Sequence, residues 1–489
     1  MRALKLISII IVILAAVIVG RTFMTAQNVD TQDRAIYLVD VPRSQSLALM
    51  SEALTYETIS YGRDKPTSSG ALLAFHKFLR DRFPLVHQKL SVETVNDYSL
   101  LYHWKGIGNN AELPVLVLAH MDVVPVIPGT EDDWEHPPYS GINDGTYIWG
   151  RGALDDKLNI VAALQAVELM LRAGQAPSRD IYFAFGHDEE QGGLDGALEI
   201  SKTLEARGVK AEFLIDEGGL LVRDMVPGLN KQMAIVSPAE KGIVTLRLEA
   251  TGQGGHSSMP SPNSSIGILA TAITRLESNQ FPNDFSHTQT FLEAIADELP
   301  FTQRLVMKNL WLFKPMVMAS FADDLGAQAG MRTTTAVTVI NGGVKSNVLP
   351  ITATALVNFR IMPGETTESV LARVIETIDD ERVAVAYSES GQVGMDPSPA
   401  APLSGFGWEY LSSAIRDTAA PEDIVIAPRL LVAATDTRHY RNISDNHYRF
   451  SWINANPDDL KRIHGTNERV GTDNVIEAVK FFHRFLSGL

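Results

Sequence analysis

Apolar positions follow two rhythms along this chain. Between residues 45 and about 240, short apolar runs such as "VLVLAH" (115–120, introduced by Pro114), "IYFAFG" (181–186) and "EFLIDEGG" (212–219) alternate with longer stretches. In the longer ones, "LNIVAALQAVELMLRA" (158–173) and "GALEISKTLEARG" (196–208), the apolar residues recur at helical spacing. Strand, helix, strand, helix, strand predicts an α/β unit with a mostly parallel sheet. Ligands of such sheets gather beyond the carboxyl ends of the strands, and those ends carry His120, Glu190 and Asp216.

The texture changes at Glu240–Lys241. "IVTLRLEAT", helical "SIGILATAITRLES", "TTTAVTVINGG", "ITATALVNFRIM", helical "ESVLARVIETI" and "RVAVAYS" follow one another. That order, β-α-β-β-α-β, predicts a ferredoxin-like lid over residues 241–392. A helical insertion at roughly 281–333 interrupts it, and mixed α/β texture resumes at 393–489, ending in the amphipathic "NVIEAVKFFHRFL". The expected architecture is one discontinuous catalytic domain, 45–240 and 393–489, with the lid inserted. Within the insertion Leu305, Met307, Leu310, Trp311, Leu312, Phe313, Met316 and Met318 crowd together. Such a cluster packs extra helices or, read more sharply, lines an apolar channel for an acyl chain.

The amino terminus has its own pattern. Arg2 and Lys5 precede an unbroken apolar run, Leu6 to Gly20, and Arg21 follows. As a helix that run spans roughly 22 Å, short of a ~30 Å hydrocarbon core. It matches a signal-peptide core in length, yet no small-x-small cleavage site follows. Residues 1–24 are thus expected to be a retained membrane anchor or a cleaved signal. In both cases the charge bias keeps the amino terminus cytoplasmic and places the catalytic part on the other side, membrane-anchored or secreted.

With 489 residues, 45% hydrophobic and 20% charged, the chain is a folded protein of two or three domains. A net charge of −16 and the lack of a basic cluster argue against nucleic acid as a partner. Cysteine is absent, so any metal must be held by His, Asp and Glu.

One stretch demands such a metal. "GHDEEQGG" sets Asp188, Glu189 and Glu190 side by side at a strand end, where carboxylates repel unless a positive charge sits among them. Further donors are offered by "LAHMDVVP" (His120, Asp122), "GRGALDDK" (Asp155), "LIDEGG" (Asp216) and "IHGTNERV" (His464). Two histidines and three carboxylates suit two borderline divalent ions that share a bridging carboxylate; calcium or magnesium would favour oxygen alone. Neighbours on a strand point to opposite faces. Glu189 and Glu190 therefore serve one site only where the strand breaks into a loop, one holding metal and the other free as a base.

These segments resemble the co-catalytic zinc peptidase family of aminoacylase, carnosinase and glutamate carboxypeptidase, from about residue 45 to the end. Within it, "EKGIVTLRLEATGQGGHSSMPSPNSSIGILATAITRLE" looks most like the branch of carboxypeptidase S and the N-fatty-acyl-amino-acid synthase/hydrolase. The resemblance implies that His120, Asp155 and Asp216 hold one metal, with Asp155 bridging to a second held by Glu190 and His464. It implies zinc, with cobalt or manganese as substitutes. Glu189 would be the base, Asp122 the support of the His120 imidazole, and His256 a lid residue steadying the oxyanion, often from a neighbouring protomer. Arg360 and Asn347 would grip a substrate carboxylate, a role an Arg fork suits. Ala433 and Ala434 stand where the family commonly has glycines. The implied activity is hydrolysis of an amide next to a free carboxylate, on a small peptide or an N-acyl amino acid, with a homodimer through the lid as the implied assembly. An aminopeptidase or dipeptidase of the same fold, or an inactive membrane-tethered binding module, are the alternatives. His136, His187 and His439 are expected to be structural.

Overall fold

The computed structural model describes residues 2–24, 36–61, 68–108, 112–388, 394–456 and 458–489. Its central sheet has six strands, in the spatial order Ser91–Val95, Ser99–Trp104, Ile181–Gly186, Val115–His120, Phe213–Asp216 and His447–Arg449. The last four run parallel; the first two join antiparallel at one edge. All six residues of Val115–His120 are buried, as a parallel strand covered on both faces requires. Val115, Val117 and Ala119 face a core shared with the helices Lys157–Arg172 and Thr472–Ser487, which pack on each other. Leu116 and Leu118 point the other way, toward Ile200 and Leu204 of the helix Ala197–Ala206. The register sets His120 against Gly186, so two strands end together and deliver His120 and the 187–190 turn to one place.

The lid sheet is antiparallel throughout, in the order Thr334–Gly342, Thr352–Ile361, Gly242–Thr251, Val383–Tyr387. Counted in sequence, that is second, third, first, fourth, the ferredoxin-like order. Its two helices, Ser265–Ser278 and Thr367–Ile378, cover one face. Ser264 caps the first, and Thr366 with Ser369 forms a reciprocal cap on the second. Strand alternation buries Ala353, Ala355, Val357, Phe359 and Ile361 under these helices. Asn358 and Arg360 are left on the opposite face. The expected seam at residues 392 and 393 falls outside the described residues.

Three features depart from the sequence pattern or lie beyond it. A second four-stranded sheet, Ile424–Pro428, Gln232–Val236, Leu221–Val222 and Asn454–Ala455, joins segments distant in the chain. Two of its strands are two residues long, too short to show any period. The amino-terminal helix runs from Arg2 to Met24, roughly 34 Å. It outlasts its apolar core because Arg2, Lys5 and Arg21 fall within its turns, and it is long and apolar enough to cross a membrane. Finally, Glu240, where the texture changes, is fully buried against Arg449 (2.8 Å) and accepts from Thr435 N, Thr437 Oγ1 and Ser398 Oγ. Burial alone would raise its proton affinity; Arg449 and Arg438 hold it below the usual range. This pair fastens the start of the lid to the segment 435–438.

Candidate metal centre

The parallel strands converge on a pair of imidazoles with one carboxylate between them. Asp155 Oδ1 lies 2.8 Å from His120 Nε2, and Asp155 Oδ2 lies 3.0 Å from His464 Nε2. Glu190 Oε1 is 3.2 Å from the same His464 nitrogen. His120, Asp155 and Glu190 offer donor atoms close enough to share one ion, and so do His120, Asp156 and Glu217. Glu217 Oε1 is 3.5 Å from His120 Nε2. Of the five ligands expected, four are thus brought together. Asp216 stands beside them, buried, with Oδ2 lacking any hydrogen-bond partner. Asp156 and Glu217 escaped the sequence reading, although each directly follows an expected ligand and doubles its charge.

Six carboxylates within this small volume strain one another. Burial pushes Glu189 up to about 8 and both Glu190 and Asp216 up to about 6. Burial and Asp155 also drive Glu217 well above the carboxylate range. Hydrogen bonds to Asp155 and Glu190 raise His464 to about 10. His120 is raised too, against its burial, chiefly by Glu217 and Asp122. Added positive charge among these groups, as imidazole protons or as a divalent ion in their place, would let more of them ionise together. The buried, unpartnered Asp216 Oδ2, the buried Glu190 Oε1 that faces only the His464 imidazole and the His-plus-carboxylate donor set fit a borderline divalent metal.

Charged neighbours outside the donor groups fix this geometry. Asp122 Oδ1 accepts from Glu189 N (3.1 Å), and Oδ2 accepts from Glu190 N (3.2 Å) and Ser60 Oγ (2.6 Å). Its carboxylate therefore pins the Glu189–Glu190 turn, while its backbone carbonyl, 3.0 Å from His120 Nδ1, orients the imidazole. That turn separates the two acids: Glu190 enters the donor group, and Glu189 does not. A second clamp was not foreseen. Arg151 and Glu468 form a buried pair at 2.6 Å. Glu468 also accepts from Gly152 N and Leu154 N, and Arg151 Nη2 donates to the carbonyls of His464 (3.2 Å) and Gly465 (2.9 Å). One ion pair thus ties the loop bearing Asp155 to the loop bearing His464. His464 itself has φ 60°, a left-handed conformation costly for a side chain with a Cβ.

Opposite the acids lie cations. Arg438 Nη2, buried and without a hydrogen-bond partner, is 3.5 Å from Glu189 Oε1. Burial and Arg438 lower Arg360, which Glu189 partly offsets, and desolvation with the charge of Arg360 depresses the buried Lys241 to about 8. Arg438 was overlooked in "AATDTRHY"; nothing in a single Arg marks it until the fold aims it at Glu189. The same segment approaches the 187–193 loop so closely that a Cβ on Gly193 (φ +67°) would come 2.2 Å from Asp436 Oδ1. His439 Nε2 bonds the Gly192 carbonyl, His187 Nδ1 bonds Ser99 Oγ, and His136 packs on Trp149. His256 and Asn347 meet elsewhere, on the ribbon Gly255–His256/Val348–Leu349, where Ser257 N donates to Asn347 O. Both are exposed, and among the described residues no bond links them to the acid cluster.

Residues 116–488 match the model of peptidase family M20/M25/M40. The chain belongs to the M20 peptidases. "Probable carboxypeptidase S-like 2" of Dictyostelium discoideum is 39% identical over 461 residues, covering 94% of this chain and 87% of that one. "N-fatty-acyl-amino acid synthase/hydrolase PM20D1" of Mus musculus is 39% identical over 440 residues, 89% and 86% of the two chains. The M20 family metallo-carboxypeptidase Sso-CP2 of Sulfolobus solfataricus shares the fold with a TM-score of 0.63 at 18% identity, over 90% of this chain and 98% of the other. So does the Bacillus subtilis YXEP protein, a dinuclear metal binding peptidase, with a TM-score of 0.54 at 11% identity, over 91% and 98%. The expected α/β fold with its mostly parallel sheet is therefore that of this family, and the protein is a metal-dependent, carboxypeptidase-like hydrolase.

Glu468→Gln removes the charge that Arg151 faces in this buried M20 clamp. Breaking such a pair costs about 3–5 kcal/mol, and losing a partner behind metal ligands weakens metal binding ~10–100-fold. The expected result is a lower Tm together with easier metal loss in chelator competition; a variant unchanged in both would show that the clamp does not position the ligand loops.

Proposed function

We propose that this hydrolase cuts the amide bond of N-acyl amino acids and related short peptides on the acyl side of a free α-carboxylate. The observation that carries the reading is the position of Glu189, which is next to the donor cluster and also faces Arg438 at 3.5 Å. A base beside a metal centre on one side and cations on the other suits an anionic substrate whose scissile amide lies near its carboxylate. A free substrate amine would instead be repelled by Arg438, Arg360 and Lys241, which disfavours an aminopeptidase.

Two divalent ions, zinc first and cobalt or manganese as substitutes, are proposed for the cluster. His120 and Asp155 with Asp216 would hold one, and His464 and Glu190 the other. Support comes from Asp155, whose two oxygens each face a different imidazole, and from the unpartnered Asp216 Oδ2. Bound there, such ions would supply Lewis-acid polarisation of the scissile carbonyl and a lowered pKa for the attacking water. Glu189 would take the proton of the attacking water and hand it to the leaving nitrogen, while Arg360, with Arg438, would hold the substrate carboxylate. His256 and Asn347, exposed on the lid ribbon, would steady the carbonyl oxygen and carboxylate, from a second copy's lid if the protein is a homodimer. The amino-terminal helix is proposed to place all of this on the non-cytoplasmic side.

An apolar group is favoured on the acyl side of the scissile bond. A cavity of about 200 Å³ opens between Phe291, Leu292 and Phe321 of the insertion and Met225 and Leu430 of the catalytic part. Its wall includes Leu430, whose neighbour Leu431 packs against the segment after Glu217, where a Cβ on Gly218 would touch it at 2.7 Å. Residues singled out in the insertion behave differently: Leu310 is packed inward, whereas Trp311, Leu312 and Met316 are exposed and none of them lines this cavity.

Glu189→Gln should retain both metals and lose at least ~10²-fold in kcat, the scale of a general base; loss of metal alongside, by elemental analysis, would make Glu189 a ligand. Replacing the substrate carboxylate by an amide should cost the wild type far more kcat/KM than it costs Arg360→Ala. Equal discrimination by the two enzymes would move carboxylate recognition elsewhere. Along an N-acyl series, kcat/KM should rise about fourfold per methylene, from about 0.8 kcal/mol each, until the cavity is full. An optimum at acetyl would point to a short-substrate aminoacylase or dipeptidase.

A further inference from the structure

We propose that the inserted helices Phe301–Lys308 and Leu310–Ser320 dock on the surface of the lipid bilayer that the amino-terminal helix crosses. The proposal rests on reading that helix as a retained anchor. The two elements are physically joined. Asn309, fully buried between the inserted helices, donates from Nδ2 to Ile18 O and Thr22 Oγ1, both at 3.1 Å. Thr22 is buried by the same contact, and Phe23 stacks on Phe301 with ring centroids 6.0 Å apart.

These contacts lie at one end of the anchor. The uncharged run stops at Gly20 and Arg21 follows, so Ile18, Thr22 and Phe23 sit within a turn of the level where hydrocarbon gives way to headgroups. The rest of the anchor is bare: only 6% of its apolar window is buried in the protein. A bilayer that covers it therefore reaches the inserted helices.

What the second inserted helix turns outward fits that level. Trp311, Leu312, Pro315, Met316 and Ala319 are all exposed, at spacings of one, three, one and three residues that make a single helical face. Leu310 and Val317 on the other side pack with Phe285 and Leu292. Trp311 keeps its indole N–H on Asn309 Oδ1 (3.2 Å), at the end of the helix that touches the anchor. An amphipathic Trp beside Leu and Met is the composition of an interfacial helix lying in the bilayer plane. In a chain of net charge −16, the stretch 301–321 has no acidic residue, so anionic headgroups would not repel it. Phe321, which follows the carboxyl end of the same helix, is on the wall of the apolar cavity.

Because the chain has no cysteine, single labels can be placed in the full-length protein. Met316→Cys and, separately, Leu312→Cys carry a nitrobenzoxadiazole probe in vesicles of phosphatidylcholine and phosphatidylserine. Ile11→Cys reports the anchor, and Leu73→Cys, exposed on the distant helix Ser69–Arg82, reports water. The expected result is a blue-shifted emission at 316 and 312, quenched by lipids brominated near the headgroup, with 11 quenched by deeper bromines and 73 by neither. Quenching at 11 with water-like spectra at 316 and 312 would overturn the docking and leave the anchor standing. Water-like spectra at 11 as well would overturn both. A blue shift at 316 and 312 without lipid quenching would mean that protein, such as a second copy, covers this face.

Discussion

The structure is organised around an electrostatic debt. Asp155, Asp156, Glu189, Glu190, Asp216 and Glu217 are gathered at the ends of parallel strands with low solvent access. In such a place like charges raise one another's proton affinity, and only added positive charge lets them ionise together. Imidazolium protons can meet part of this demand, and divalent ions meet it better. The M20 fold therefore keeps acids that are poor at stabilising the chain alone but good at binding metal, a trade in which function is favoured over stability.

Holding those acids in place falls to buried charged residues around them. Asp122 receives two consecutive backbone N–H groups, and the turn it makes splits Glu189 from Glu190. Arg151 and Glu468 bind the Asp155 and His464 loops to each other. Glu240 and Arg449 fasten the origin of the lid to the segment that brings Arg438 to Glu189. Buried ion pairs stabilise little on balance. Their value here is positional, since each joins two loops that sequence separation would leave free to drift.

The helical insertion carries apolar surface in two directions. Inward, its side chains pack with one another and bound a cavity shared with Met225 and Leu430. Outward, it presents Trp311, Leu312 and Met316 next to the amino-terminal helix. Exposed apolar faces of this kind mark interaction surfaces, and this one lies against the amino-terminal helix.

Much was legible in the sequence because it depends on local period and composition. Strands 115–120 and 181–186 and the helix 265–278 begin and end where their apolar spacing says, since burying one face dictates that spacing. The adjacency of Glu189 and Glu190 already implied two environments, because strand geometry forbids neighbours from sharing one. The long-range partners were not legible. Arg438, Arg151, Glu468, Asp156 and Glu217 are ordinary charged residues until chain crossings place them within about 4 Å of an opposite charge or a backbone donor. Likewise, a Met-rich cluster reads the same whether it is core or surface. Only packing decided that Leu310 points inward and Trp311 outward, because helix rotation is set by contacts with Phe285, Leu292 and the anchor, residues that no local pattern connects.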